Sequence, residues 1–122
     1  MTEKRSMKDR GEDAAASYLE RIGIAVVERR WSCEVGRIDV IAWDGDTLVI
    51  VDVVTRKASR QSELWTPTPA KARRVKRLAK AYVQYADLNE STPWRYDRID
   101  LLVISDDRAL LRHHRDAMST TE

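Results

Sequence analysis

Phenylalanine is absent from the 122-residue chain, and cysteine occurs once, at Cys33. A single thiol excludes an intramolecular disulfide and a cysteine-rich zinc site. Glycine and proline are scarce, at four and three residues, and there is no internal repeat or low-complexity tract. No window reaches the apolar length of a membrane span, and the opening "MTEKRSMKDRGED" lacks the form of a secretory signal. These absences point to a cytoplasmic protein that does not engage a membrane. Formal charge is nearly balanced, at +2, so partners must be read from where charge sits. The length suits one core, and the expectation is a single domain over residues 1–122, frayed at 1–6 and 116–122.

What is present is a regular alternation of pattern. Residues 7–22 carry Ala15, Leu19 and Ile22 at helical spacing, with Gly23 as a left-handed stop. Strand-like runs follow at 24–32, 37–43 and 47–55. The polar stretch 56–65 reads as a mobile loop. In 66–86, Thr68 suits an N-cap, Pro69 the first helical position, and Val75, Leu78, Ala79, Tyr82 and Val83 a buried stripe. Strands at 96–105 and 109–115 complete an α-β-β-β-α-β-β order. That order predicts an α/β fold with a mixed central sheet and a helix on each face. The second helix can serve as the crossover to a parallel strand.

The stretch "GRIDVIAWDGDTLVIVDVVTR" (36–56) places two aspartates inside an apolar hairpin. A turn at Gly45-Asp46 makes Trp43 face Leu48, Ile41 face Ile50 and Asp39 face Asp52. Opposed residues of an antiparallel pair have Cβ atoms about 4.5–5.5 Å apart. Ile41, Ile50 and Val54 share the aspartates' face, and Ile38, Val40, Val49, Val51 and Val53 take the other. Opposed like charges among aliphatics destabilise a sheet unless compensated. A divalent cation, a basic side chain or protonation of one acid would each serve. A one-residue slip of register would instead separate the two acids.

The motifs "GED…YLE", "W-x-C-x-x-G-x-ID-x-IA-x-D" and "VDV-x-TR" occur in this order, followed by "TPAKARRVKRLAKAYV" and "RYDRIDLLVI". In these the chain resembles the YraN family of small bacterial proteins, of the PD-(D/E)XK nuclease-like superfamily related to archaeal Holliday junction resolvases. The resemblance implies a restriction-endonuclease-like core and an endonuclease site dependent on Mg or Mn. Asp39 would be the first metal ligand, Asp52 the second acid and the Val53 carbonyl a further ligand, with Glu12 at an additional acidic position. Resolvases of this kind work as dimers, which extends the implication to a homodimer.

Two positions depart from that pattern. Val54 stands where the family has a lysine, and Arg37 where it commonly has glutamate. The hairpin register makes Arg37 and Val54 neighbours, so a positive charge has crossed the hairpin. Arg37 can hold a phosphate or fill the metal position with its own cation, but with a pKa above about 12 it cannot act as a general base. Arg56, Lys57 and Lys71 are the candidates to replace the lysine. Loss of the lysine argues for reduced or absent cleavage.

Lys71, Arg73, Arg74, Lys76, Arg77 and Lys80 crowd one helix with no acid among them, and Arg56, Lys57 and Arg60 precede it. This reads as a phosphate-contacting surface for DNA or RNA, against a merely solvated helix face. The rival function is a protein-interaction or regulatory module that kept only the fold. Trp65 and Trp94 flank loops, where tryptophans cover a core edge or stack on bases. His113 and His114 are adjacent on a strand, so they face opposite sides and suit one packed and one exposed ring. Asp97 and Asp100 read as edge or turn acids, and Cys33 as a small packed residue.

Overall fold

The computed structural model describes residues 6–58 and 67–118. Helix α1 (Met7–Arg21) begins where the Ser6 hydroxyl accepts the Asp9 N–H at 3.0 Å and ends before Gly23, whose φ of 88° lies in the left-handed region. Strands β1 (Ala25–Cys33), β2 (Gly36–Asp44) and β3 (Thr47–Lys57) follow, then helix α2 (Pro69–Tyr85), β4 (Trp94–Ser105) and β5 (Arg108–His114). The expected element order is the observed one.

The five strands form one sheet in the order β1-β2-β3-β4-β5. Neighbours pair antiparallel except β3 and β4, which pair parallel across the α2 crossover. This is the mixed α/β sheet, helix on each face, of a restriction-endonuclease-like core. Ala15 and Leu19 of α1 pack in one cluster with Val40, Ala42, Val49, Val51, Val53, Ile99 and Leu101. Val75, Leu78, Ala79, Tyr82 and Val83 of α2 pack in the other, with Ile41, Leu48, Ile50 and Tyr96. Burying an aliphatic or aromatic side chain contributes about 1.5–3 kcal/mol, so this stripe, rather than the charged face, holds α2 on the sheet.

Helix α2 starts at Pro69, as expected, where the Thr68 hydroxyl accepts the Lys71 N–H at 3.1 Å. Other element edges differ from the sequence reading for local reasons. Strand β4 starts two residues early, at Trp94, since Leu48 pairs with it and donates its N–H to the Pro93 carbonyl. Strand β3 extends through Arg56 and Lys57, which were expected in the loop, and the Ala58 N–H still donates to the Val103 carbonyl at 2.9 Å. Residues 59–65 of the expected loop, with Arg60 and Trp65, lie outside the described residues. Past β5, Asp116 and Ala117 are anchored: their N–H groups reach an Asp97 carboxylate oxygen (2.9 Å) and the Tyr96 carbonyl (2.7 Å).

Two packing expectations are corrected. Ile38 belongs to the α2-side cluster although Val40 belongs to the α1 side. The β2–β3 ladder ends at Val40↔Val51, and beyond it strict alternation of faces no longer holds. Asp97 and Asp100 are buried acids, at 0% and 4% exposure, and not edge residues. Each is covered by β5 and paired twice. Asp97 meets Arg95 Nε (2.9 Å) and His113 Nε2 (2.8 Å), and Asp100 meets Arg98 Nε (2.9 Å) and His114 Nε2 (3.1 Å). The His113 ring is the packed one, its Nδ1 2.9 Å from the Tyr18 hydroxyl, and His114 is the more exposed.

Candidate functional site

Asp39 sits one residue beyond the last β2–β3 pair, and its side chain takes over where the ladder stops. Asp39 Oδ2 accepts the Val53 N–H at 2.9 Å. Val53 therefore meets the acid through its amide hydrogen. Burial raises the Asp39 pKa above the ordinary carboxylate range; the Val53 N–H opposes this, and the charges of Asp52 and Glu12 add to it. The expected repulsion between the two aspartates is thus present.

Its relief comes from basic side chains. Lys71 Nζ, from the first turn of α2, is 2.7 Å from Asp52 Oδ2, and the Tyr96 hydroxyl donates to the same oxygen at 2.7 Å. Lys71 also stands 5.9 Å from the Tyr96 ring centroid, within reach of a cation–π contact. Desolvation and the Asp52 charge push the Tyr96 phenol strongly upward, so it stays a donor. Arg37 Nε lies 3.4 Å from Asp39 Oδ1, an ionic contact without a hydrogen bond.

Glu12 is fully buried and gripped by two arginines: Arg37 Nη2 at 2.8 Å and Arg30 Nε at 2.7 Å. Arg30 reaches it from a left-handed backbone (φ 57°) in β1, past a register shift between Val26 and Glu28. Glu12, Asp39 and Asp52 are thus matched by Arg30, Arg37 and Lys71.

Mg²⁺ takes about six oxygen ligands, of which one or two carboxylates suffice and water or phosphate supplies the rest. Asp39 Oδ2 and Asp52 Oδ2 are already engaged, and Asp39 Oδ1 faces Arg37. Among the described residues, no group of three histidines, cysteines or acids is placed to hold a metal ion. As arranged, Lys71 holds the Asp52 oxygen that a cation between the acids would need.

Among the described residues, Lys71 alone of the three candidates for the missing lysine forms an ion pair with an acid. Arg56 and Lys57 lie four and five residues beyond Asp52 on β3, roughly 13 Å or more along the strand. On α2, Arg73, Arg74, Lys76, Arg77 and Lys80 are exposed and form no ion pair with any described residue. Arg74 runs from this face toward the site. A Cβ at Gly36 would lie 2.8 Å from its Nη2. Tyr96 and Arg30 were not foreseen as site residues. Tyr96 reaches Asp52 through a parallel register, Ile50↔Tyr96, that the chain does not spell out locally.

The model of "Uncharacterised protein family UPF0102" matches residues 11–104. The chain belongs to this family. It is 45% identical over 100 residues to a UPF0102 protein of Chloroflexus aurantiacus, covering 82% of each chain. A UPF0102 protein of Arthrobacter sp. is 42% identical over 101 residues, again 82% of each. One from Geobacter sulfurreducens is 34% identical over 109 residues, 88% of this chain and 84% of that one. The UPF0102 match spans all of Glu12, Arg30, Arg37, Asp39, Asp52, Lys71 and Tyr96. Among the described residues, no helix is long and apolar enough to cross a membrane.

Proposed function

We propose that this UPF0102 chain binds nucleic acid through its phosphates, on the basic face of α2, beside a nuclease-type acid pair held by Lys71 and Arg37. The carrying observation is the Lys71–Asp52 contact at 2.7 Å. It ties the first turn of the basic helix to the acid pair, so one surface runs from the paired carboxylates to Arg73, Arg74 and Arg77. Unpaired cations on an exposed helix face gain most from a polyanion, because each phosphate neutralised releases condensed counterions. Contacts of this kind position a strand without reading its sequence.

Lys71 supplies, from the helix, the cation that Val54 cannot supply from the strand. Arg37 balances Asp39. In this arrangement the chain's own cations do the work of an ion between the acids, and the reading is of binding rather than cleavage. An acidic protein surface could also use these cations, which form no ion pair with a described residue; the regular phosphate spacing of a polyanion suits a one-sided basic helix better.

Fluorescence anisotropy with labelled single-stranded and branched DNA, over a series of salt concentrations, tests the reading. Binding should weaken steeply with salt, and both the affinity and its salt dependence should fall when Arg73, Arg74 and Arg77 are changed to alanine together. Salt-independent binding, or none at low salt, would leave the interaction module as the better account.

A further inference from the structure

A concavity lies away from the acid pair, between α2 and the segment leading into β4. It encloses about 280 Å³. Drug-sized ligands occupy about 300–1,000 Å³, so this cleft suits a single small planar ring. Its apolar part comes from Ala79 and Val83, both buried, and from the half-buried indole of Trp94. Lys76 and Lys80 line it too. They stand one helical turn apart, about 6 Å along the axis, and neither forms an ion pair with a described residue.

The remaining lining is polar and includes Gln84 and Glu90. The segment that carries Glu90 is tied to itself. Asn89 Oδ1 accepts from the Ser91 N–H and hydroxyl, each at 2.8 Å, and the Thr92 N–H donates to the Asn89 carbonyl at 2.9 Å. The rim is therefore built before any ligand arrives, which lowers the ordering cost of binding.

An aromatic ring, an apolar floor, two free ammonium groups and a donor–acceptor rim answer to one chemical class. We infer that the cleft takes one unstacked base of a single-stranded nucleic acid, stacked on Trp94, with its flanking phosphates on Lys76 and Lys80. This rests on the phosphate-binding reading above and adds a base contact to it. The Glu90 carboxylate accepts only, so it favours bases with an exocyclic amine, as cytosine, adenine and guanine have and thymine lacks.

The test compares a short oligodeoxycytidine with an abasic sugar–phosphate strand of the same length, by anisotropy at one low salt concentration. The two carry equal charge, so the phosphate contribution cancels. The intact strand should bind roughly tenfold tighter, the size of one aromatic–base stack. Trp94→Leu should bind both strands alike, at the abasic level. Glu90→Gln, on the exposed rim, should narrow the preference for oligodeoxycytidine over oligothymidine. Equal binding of intact and abasic strands by the natural chain overturns the base site and leaves the phosphate-binding reading standing. So does a Trp94→Leu variant that keeps the full preference. Binding of neither strand overturns both. Should Trp94→Leu fail to fold, the intact-against-abasic comparison on the natural chain still decides.

Discussion

Lys71 on α2 and Asp52 on β3 meet at 2.7 Å, although they belong to different elements and lie far apart along the chain. A lysine there is the counter-charge of an acid and, on the proposed reading, would also contact a phosphate. Lys71→Ala should therefore do two things at once. Nucleic-acid binding should weaken, by about tenfold or less for one phosphate contact. Asp52 should also be freed to accept a cation. Calorimetry with Mn²⁺ should give no heat with the natural chain and measurable heat with Lys71→Ala. Heat from the natural chain would mean that the lysine yields to metal.

Changing Arg73, Arg74 and Arg77 together to alanine should lower the slope of log K against log salt by about 2–3, from the loss of three phosphate contacts. Thermal stability should hardly move, since all three are exposed and none forms an ion pair with a described residue. An unchanged slope would place the nucleic acid elsewhere.

Asp39 offers a test through pH. Burial chiefly, with Asp52 and Glu12, raises its pKa in the folded state. The folded chain then holds this proton more tightly than the unfolded one. The associated stability is present below the unfolded pKa, near 3.9, and is lost as pH rises through the higher folded value. Asp39→Asn, which keeps an acceptor for the Val53 N–H, should therefore stabilise the fold at neutral pH by about 1 kcal/mol. The gain should vanish in acid. Melting temperatures of the two proteins from pH 3 to pH 8 check the crossing.

Asp97 has the opposite sign. Burial works to raise its pKa, but the hydrogen bonds from His113, Arg95 and the Asp116 N–H together hold it below the ordinary value. Stability from this group is present above the unfolded pKa, near 3.9, and is lost as pH falls through the lower folded one. Asp97→Asn should cost about 3 kcal/mol at neutral pH, since Arg95 and His113 lose a buried partner. Denaturant unfolding measures it, and a cost under about 1 kcal/mol would mean the network relaxes around the amide.

Gly11 packs directly against Thr55, and a Cβ at this position would overlap the Thr55 hydroxyl. Gly11→Ala should destabilise by about 1–3 kcal/mol, the usual cost of overpacking, despite alanine's better helix propensity. Gly11→Ala combined with Thr55→Ser should not recover the loss, because the hydroxyl remains; Thr55→Ala should recover part of it.

Much of this arrangement was legible in the chain because it is local. Thr68 and Pro69 marked the start of α2, and the hairpin turn at Gly45-Asp46 set the β2–β3 register as far as Val40↔Val51, one residue short of the expected Asp39–Asp52 pair. The hidden parts are those that depend on register across a crossover or on a bulge. Tyr96 meets Asp52 only through the parallel β3–β4 pairing. Arg30 reaches Glu12 only because β1 slips by one residue and turns left-handed. Asp97 and Asp100 looked like edge acids because their partners on β5, His113 and His114, lie far along the chain. That Lys71 and not Lys57 meets Asp52 follows from where α2 lands on the sheet, a tertiary outcome without a local signal.

The site draws Glu12, Asp39, Asp52, Lys71 and Tyr96 from five elements, α1, β2, β3, α2 and β4. A growing polypeptide leaving the ribosome therefore presents both aspartates before Lys71 and Tyr96 have been made. Arg37, already made, can balance Asp39, but Lys71 and Tyr96, the two groups that hold Asp52, arrive last, and its surroundings are complete only once β4 is in place.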